Sequence, residues 1–179
     1  MPDLIFHVDA QTSRAFHGHP VTVCILEQPR DRPWMRELSR AMNTPEAAFL
    51  LPCGLNRFDL RTMSGGLEVE LAASATLAAA HVLFTRSLTG PRRSIAFFTR
   101  SGSISASQEN GNALEINFPA LVLEELLDPQ DEILQAVDPA PEFVGRRGED
   151  YFVQVSSRRS NSEKFGPISV SCAVWECET

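Results

Sequence analysis

Lysine is almost missing from this chain of 179 residues: Lys164 is the single one, and nearly every cation is an arginine. The scarcity excludes a Schiff-base lysine over almost the whole sequence. Positive charge is also outnumbered, with 16 lysines and arginines against 23 carboxylates, a net charge of −7 and an isoelectric point near 5.1. Arg92-Arg93, Arg146-Arg147 and Arg158-Arg159 are pairs rather than a patch, and the arginines lie scattered along the chain. Without a basic stripe to release counterions from phosphates, neither nucleic acid nor an anionic membrane surface is an expected partner. Long apolar runs are missing too: none approaches the roughly 20 residues of a membrane span. The start, MPDLIFHVDA, has neither the basic opening nor the apolar core of a signal peptide, so the expected location is the cytoplasm. Cys24, Cys53, Cys172 and Cys177 form no C-x-x-C pair and no zinc-like ligand spacing, and free thiols are expected in a reducing compartment.

What is present suits a globular α+β protein. The 43% hydrophobic content and the length allow one well-buried domain, or one domain and part of a second. Segments 4–10 and 21–26 read as strands. Segment 31–42 reads as a helix with Asp31 as N-cap, Pro33 in its first turn, and an apolar stripe of Trp34, Leu38, Ala41 and Met42. Thr44 precedes a proline, which stops the helix. Strands follow over 46–51, 58–62 and 67–71, the last two joined by a Ser64-Gly65-Gly66 turn. Helical spacing then runs through LAAAHVLF to about Thr85, and strands are expected over 94–100, 103–107 and 113–118, the last pair joined through Asn110-Gly111. A helix over 123–137, broken at Pro129, and strands over 142–147 and 151–155 precede a polar, turn-prone stretch, SSRRSNSEKFGP, and a strand-like final run, ISVSCAVWECET. The expected division is a domain at 1–119 and a partial second domain at 120–179 with an atypical ending.

Three groups of residues invite chemistry. Ser74 lies at a strand–turn–helix junction, where a nucleophilic serine could sit. The flanking glycines of a nucleophile elbow are absent, however, and His81 lies roughly 10 Å along the same helix, so an N-capping role fits better. His7, His17 and His19 number enough for a zinc site, but no carboxylate accompanies them at helical spacing, and no metal is expected. Glu46 follows the helix-stopping Thr44-Pro45 and heads a strand beginning Ala47-Ala48-Phe49. Partial desolvation there would raise its pKa toward the range useful for proton transfer, although a solvated loop glutamate is the commoner outcome of such a pattern.

The segments VDAQTSRAFHGHPVTVCIL, ELSRAMNTPEAAFLLP, FDLRT and LEVELAASATLAAAHVLF stand in an order and spacing that resemble the N-terminal half of the phenazine-biosynthesis PhzF-like isomerases. The resemblance covers roughly residues 4 to 119 and extends loosely to about 155. It implies a diaminopimelate epimerase-like fold: two alike α+β domains, each a curved, mostly antiparallel sheet wrapped around a central helix, with the site in the cleft between them. It further implies cofactor-independent proton transfer on a small anionic ring substrate, with Glu46 as the shuttle and Ser74, Ala75, Gly18 and His19 at the substrate, in a homodimer. The family pattern is altered at three places. Ala72-Ala73-Ser74 replaces Cys-Gly-His, His19 replaces an asparagine, and Thr62-Met63-Ser64-Gly65 replaces Trp-Phe-Thr-Pro. Serine cannot carry a proton near pH 7 as imidazole does, and nothing in 156–179 matches the family's second-half motif. The alternative expectation is therefore a catalytically inactive, single-domain binding or interaction protein.

Overall fold

The computed structural model describes residues 3–14, 16–90, 94–108, 113–118, 123–126, 141–147, 150–155 and 173–175. The chain divides into two compact units, one of Met1–Pro119 with Pro167–Thr179 and one of Ala120–Gly166.

In the first unit, strands β1 (Leu4–Ala10), β2 (His19–Ile25), β3 (Glu46–Gly54), β4 (Arg57–Ser64), β5 (Leu67–Val69), β6 (Ser94–Thr99), β7 (Gly102–Gln108), β8 (Leu114–Asn117) and β12 (Ala173–Trp175) form one mixed sheet. Its order is β12-β1-β2-β3-β4-β6-β7-β8, with β5 paired to β4. The pairs β2–β3 and β4–β6 are parallel and the others antiparallel. Each parallel pair is bridged by a helix: α1 (Arg32–Met42) connects β2 to β3, and α2 (Ala73–Thr85) lies between β5 and β6. Both crossovers step the same way along the sheet, but β4 runs opposite to β2. Right-handed crossovers from oppositely directed strands place their helices on opposite faces.

The packing follows that rule. Side chains alternate along a strand, so each strand feeds both faces. Val21 and Val23, Ala48 and Leu50, and Phe58 and Leu60 join α2 in the larger core, with Phe97 and Ile104. Cys24, Ala47, Phe49 and Met63 join Met35 of α1 in the smaller one. Helix α2 touches β1, β2 and β3 and also β8 at the far end of the sheet order, so the sheet curls around it. Eight residues of α2 are buried, from Ala75 to Leu83, as befits a helix enclosed by its own sheet.

Most strand and helix expectations hold to within a few residues. Asp31 caps α1 by accepting from the Trp34 N–H at 2.9 Å; Trp34 and Leu38 of the expected stripe pack half-buried against the core, Met35 and Ser39 are the fully buried residues, and Ala41 is exposed, so the stripe is displaced by about one residue. Gly65 and Gly66, at φ 56° and 81°, make the expected tight turn between β4 and β5, where glycine meets no Cβ clash. At Glu124-Glu125 the expected helix start is instead a short strand, β9, which joins β10 (Pro141–Arg147) and β11 (Asp150–Val155) in the antiparallel sheet of the second unit. Residues 127–137 of that expected helix, and the Asn110-Gly111 turn, lie outside the described residues.

Candidate active site

Strand register gathers the chemistry at one end of the sheet. Ala10 pairs with His19, Val21 with Glu46, and Glu46 with Ser64, so the end of β1, the starts of β2 and β3 and the end of β4 meet there. By alternation His19 continues the row Val21-Val23 and Glu46 the row Ala48-Leu50, both of which face α2. The opposite end of that face is an apolar cavity of about 340 Å³ lined by Pro52, Gly54 and Leu4 together with Leu83 and Leu88 at the end of α2. The start of α2 therefore lies at the Glu46 end.

Glu46 is half-buried, with 19% of its side chain exposed, and its Oε2 stands 3.7 Å from Nε2 of His19, whose side chain is 35% exposed. Neither of these two atoms touches solvent or has a hydrogen-bond partner among the described residues. The backbone beneath Glu46 is fixed. Thr44 Oγ1 donates to the Glu46 carbonyl at 2.9 Å and lies 2.8 Å from the buried Thr22 hydroxyl, while the Gly65 N–H donates to the Pro45 carbonyl at 3.1 Å. Sequence reasoning found Thr44 only as a helix stop; its second task depends on a hydroxyl 22 residues away, which no local pattern announces.

Gly18 precedes His19 where the chain passes close to β1. A Cβ there would sit 2.5 Å from the Ala10 carbonyl oxygen and 2.6 Å from Cγ2 of Thr12, closer than real contacts allow. The loop before it is held by the buried Asp9 carboxylate, which accepts from the Phe16 N–H at 2.7 Å. His7 and His17 are exposed, and no cluster of three or more histidine, cysteine or acidic side chains suited to a metal occurs among the described residues.

Ser74 does not cap α2. The N-cap is Ala72, and among the described residues no side-chain hydrogen bond closes the helix start. The Thr76 N–H is the first to bond back, to the Ala72 carbonyl at 3.0 Å, and Thr76 Oγ1 donates to the same oxygen at 2.8 Å. The N–H groups of Ala73, Ser74 and Ala75 thus lack intrahelical acceptors at the positive end of the helix dipole. Ala73 is exposed and Ser74 half-buried, whereas Ala75 is fully buried and belongs to the core. His81, further along α2, is half-buried, and burial pushes its imidazole below the usual histidine range.

A second charged group sits on the α1 face. The Glu68 carboxylate, 6% exposed, is held by Arg61 through both oxygens (2.7 and 3.0 Å), by Arg32, and by Arg100 at 3.9 Å. The Arg61 guanidinium bonds and the neighbouring charges hold Glu68 below the usual carboxylate range against the opposing effect of burial. Arginines scattered in the sequence are thus gathered by the fold.

A curled mixed sheet around one buried helix, with a half-buried carboxylate at the helix start, is an α+β arrangement of the epimerase-like kind. The family model described as phenazine biosynthesis-like protein, PhzC-PhzF, matches residues 8–144, and the chain belongs to that family. It is 35% identical over 159 residues to an uncharacterised isomerase of Halalkalibacterium halodurans, covering 89% of this chain and 59% of the relative. Among solved structures, a PhzF-family phenazine biosynthesis protein from Enterococcus faecalis superposes with a TM-score of 0.68 at 25% identity, covering 88% of this chain and 59% of that one. A phenazine biosynthesis PhzC/PhzF protein from Clostridium difficile gives 0.63 at 28%, covering 81% and 54%. The chain therefore spans between half and three-fifths of the length of these relatives. Among the described residues no helix is long and apolar enough to cross a membrane.

Proposed function

We propose that this chain is a PhzF-like isomerase in which Glu46 takes a proton from carbon on a small anionic substrate and returns it at another position. The supporting observation is the Glu46 carboxylate itself. It is half-buried, has an oxygen without a hydrogen-bond partner among the described residues, and lies at the end of the sheet where α2 begins with N–H groups that lack intrahelical acceptors. An anionic group of the substrate docks against the Ala73 and Ser74 N–H groups, which point free donors and a positive dipole at it. The C–H bond then breaks toward Glu46, its electron pair delocalises into the substrate, and the protonated carboxyl delivers the proton to a second carbon. A proton and not an electron pair changes partner, so the step needs no redox cofactor. Gly18 holds the His19 end of the site close to β1. The homodimer, the cytoplasmic location and a domain boundary near Pro119 belong to the same proposal; the expected second domain of 120–179 is shortened, because β12 joins the first unit's sheet.

Deuterium incorporation from heavy water into a panel of small hydroxy- and amino-acid ring compounds tests the reading. Incorporation is expected for at least one compound and should fall by about 100-fold or more in Glu46→Gln, the usual worth of a positioned acid or base. Exchange that survives Glu46→Gln removes the assigned role. No exchange by a cooperatively folding chain favours the binding-protein reading, which Ser74 supports by offering no imidazole at the helix start.

A further inference from the structure

Both Nε2 of His19 and Oε2 of Glu46 are buried, both lack a hydrogen-bond partner among the described residues, and they face each other across 3.7 Å. Two neighbouring orphaned polar atoms are unusual, because each forfeits the hydrogen bond it would make in water and a small rotation would satisfy both. The gap is slightly too wide for a resting hydrogen bond and short enough for proton transfer once either side chain moves by a few tenths of an ångström. The two groups also differ in access. The Glu46 side chain is 19% exposed and that of His19 35%, so the imidazole has the greater access to solvent.

From this geometry we infer that His19 is a second proton-carrying group of the site, relaying protons between Glu46 and water. The inference rests on the proposed role of Glu46. When Glu46 has taken a proton from carbon, neutral imidazole accepts it at Nε2. The carboxylate is restored, and the pair becomes carboxylate and imidazolium. The imidazolium then either hands the proton back to Oε2 for return to carbon or loses one to water. Glu46 alone would return the abstracted proton largely internally; with His19 beside it, the proton has a more exposed route to solvent. The backbone supports such a relay. Pairing of His19 with Ala10, and of Val21, two residues on and on the same face, with Glu46, sets the two side chains on neighbouring strands and the same face, and Gly18 brings the imidazole strand close to β1.

Two measurements on the full chain test the relay. In the first, the imidazole ¹⁵N resonances of His19, identified among the chain's four histidines by their loss in His19→Gln, are compared between wild type and Glu46→Gln. The Nε2 resonance is expected to move, and an unchanged Nε2 signal overturns the inference without needing a substrate. In the second, a substrate deuterated at the reacting carbon is followed in ordinary water. The ratio of label lost to solvent over label returned to substrate should fall at least about tenfold in His19→Gln, whatever its overall turnover, since glutamine keeps a polar end near the Nε2 position but cannot carry the proton. An equal ratio in wild type and His19→Gln overturns the relay and leaves the role of Glu46 standing. Exchange that survives Glu46→Gln removes the role of Glu46, and the relay with it. Thermal unfolding of both variants separates either result from loss of the fold.

Discussion

The two faces of the main sheet are built on different terms. On one face, α1 is written in local signals: Asp31 caps its start, Asn43 closes its end in the left-handed region at φ 52°, and two of its residues are buried. On the other, α2 buries eight residues, has no side-chain cap, and carries no acidic residue in its first turn and no basic one in its last. Helix α1 is held by its ends and its charges, and α2 by enclosure. A helix secured by burial can leave its first turn bare, and that bare turn lies at the Glu46 end. The face with the weaker local signals is the one that carries the candidate chemistry.

This contrast can be broken most strongly at the enclosed helix. Leu83→Ala should cost about 3 kcal/mol or more of unfolding free energy in urea, because the fully buried side chain leaves a cavity that the surrounding sheet cannot close. On the other face the largest effect is electrostatic. Glu68→Gln should cost about 2 kcal/mol near neutral pH by removing the charged acceptor of Arg61 and Arg32. Because the folded pKa of Glu68 is lowered from an ordinary value of 4.5, the unfolded chain binds the proton first as the solution is acidified. The contribution of Glu68 is therefore complete above about pH 4.5 and is lost as pH falls through the lower folded value. Urea titrations at pH 7 and pH 3 should show the gap between wild type and Glu68→Gln narrowing at the lower pH. The smallest of the three is Asp31→Ala, expected to cost about 1 kcal/mol through loss of the α1 cap. A cost as large as that of Leu83→Ala would erase the distinction between the two faces.

Legibility in the sequence follows the same division. Helix α1 was legible because its cap, its proline and its terminating Thr44-Pro45 are neighbours in the chain. The strands were legible from alternation; the half-burial of Glu46 was not, since a solvated loop glutamate is the commoner outcome of its local pattern. The arginine shell of Glu68 was not, because Arg32, Arg61 and Arg100 come from three separate segments. The closeness of His19 to Glu46 was hidden for a similar reason: the parallel pairing of β2 and β3, with α1 between them, brings the two together across 27 positions. The mistaken cap at Ser74 came from a rule that serves exposed helix starts. At α2 the cap position is the buried Ala72; enclosure secures the helix, while its first-turn N–H groups keep no side-chain acceptor among the described residues.

The bond from the Phe16 N–H to the Asp9 carboxylate divides the connection between β1 and β2 into two stretches with unequal tolerance for changes in length. The stretch between Asp9 and Phe16 is a closed loop, where an added residue enlarges the ring and disturbs at most the local turn in which the Arg14 N–H donates to Thr12 Oγ1 at 3.0 Å, without moving the strand register. Between Gly18 and Val21 there is no such slack. A residue added or removed there shifts β2 by one position against β1 or turns His19 to the other face of the sheet, and so parts it from Glu46. In a set of homologous sequences, length variation in this connection should therefore collect before Phe16 and stop at Gly18.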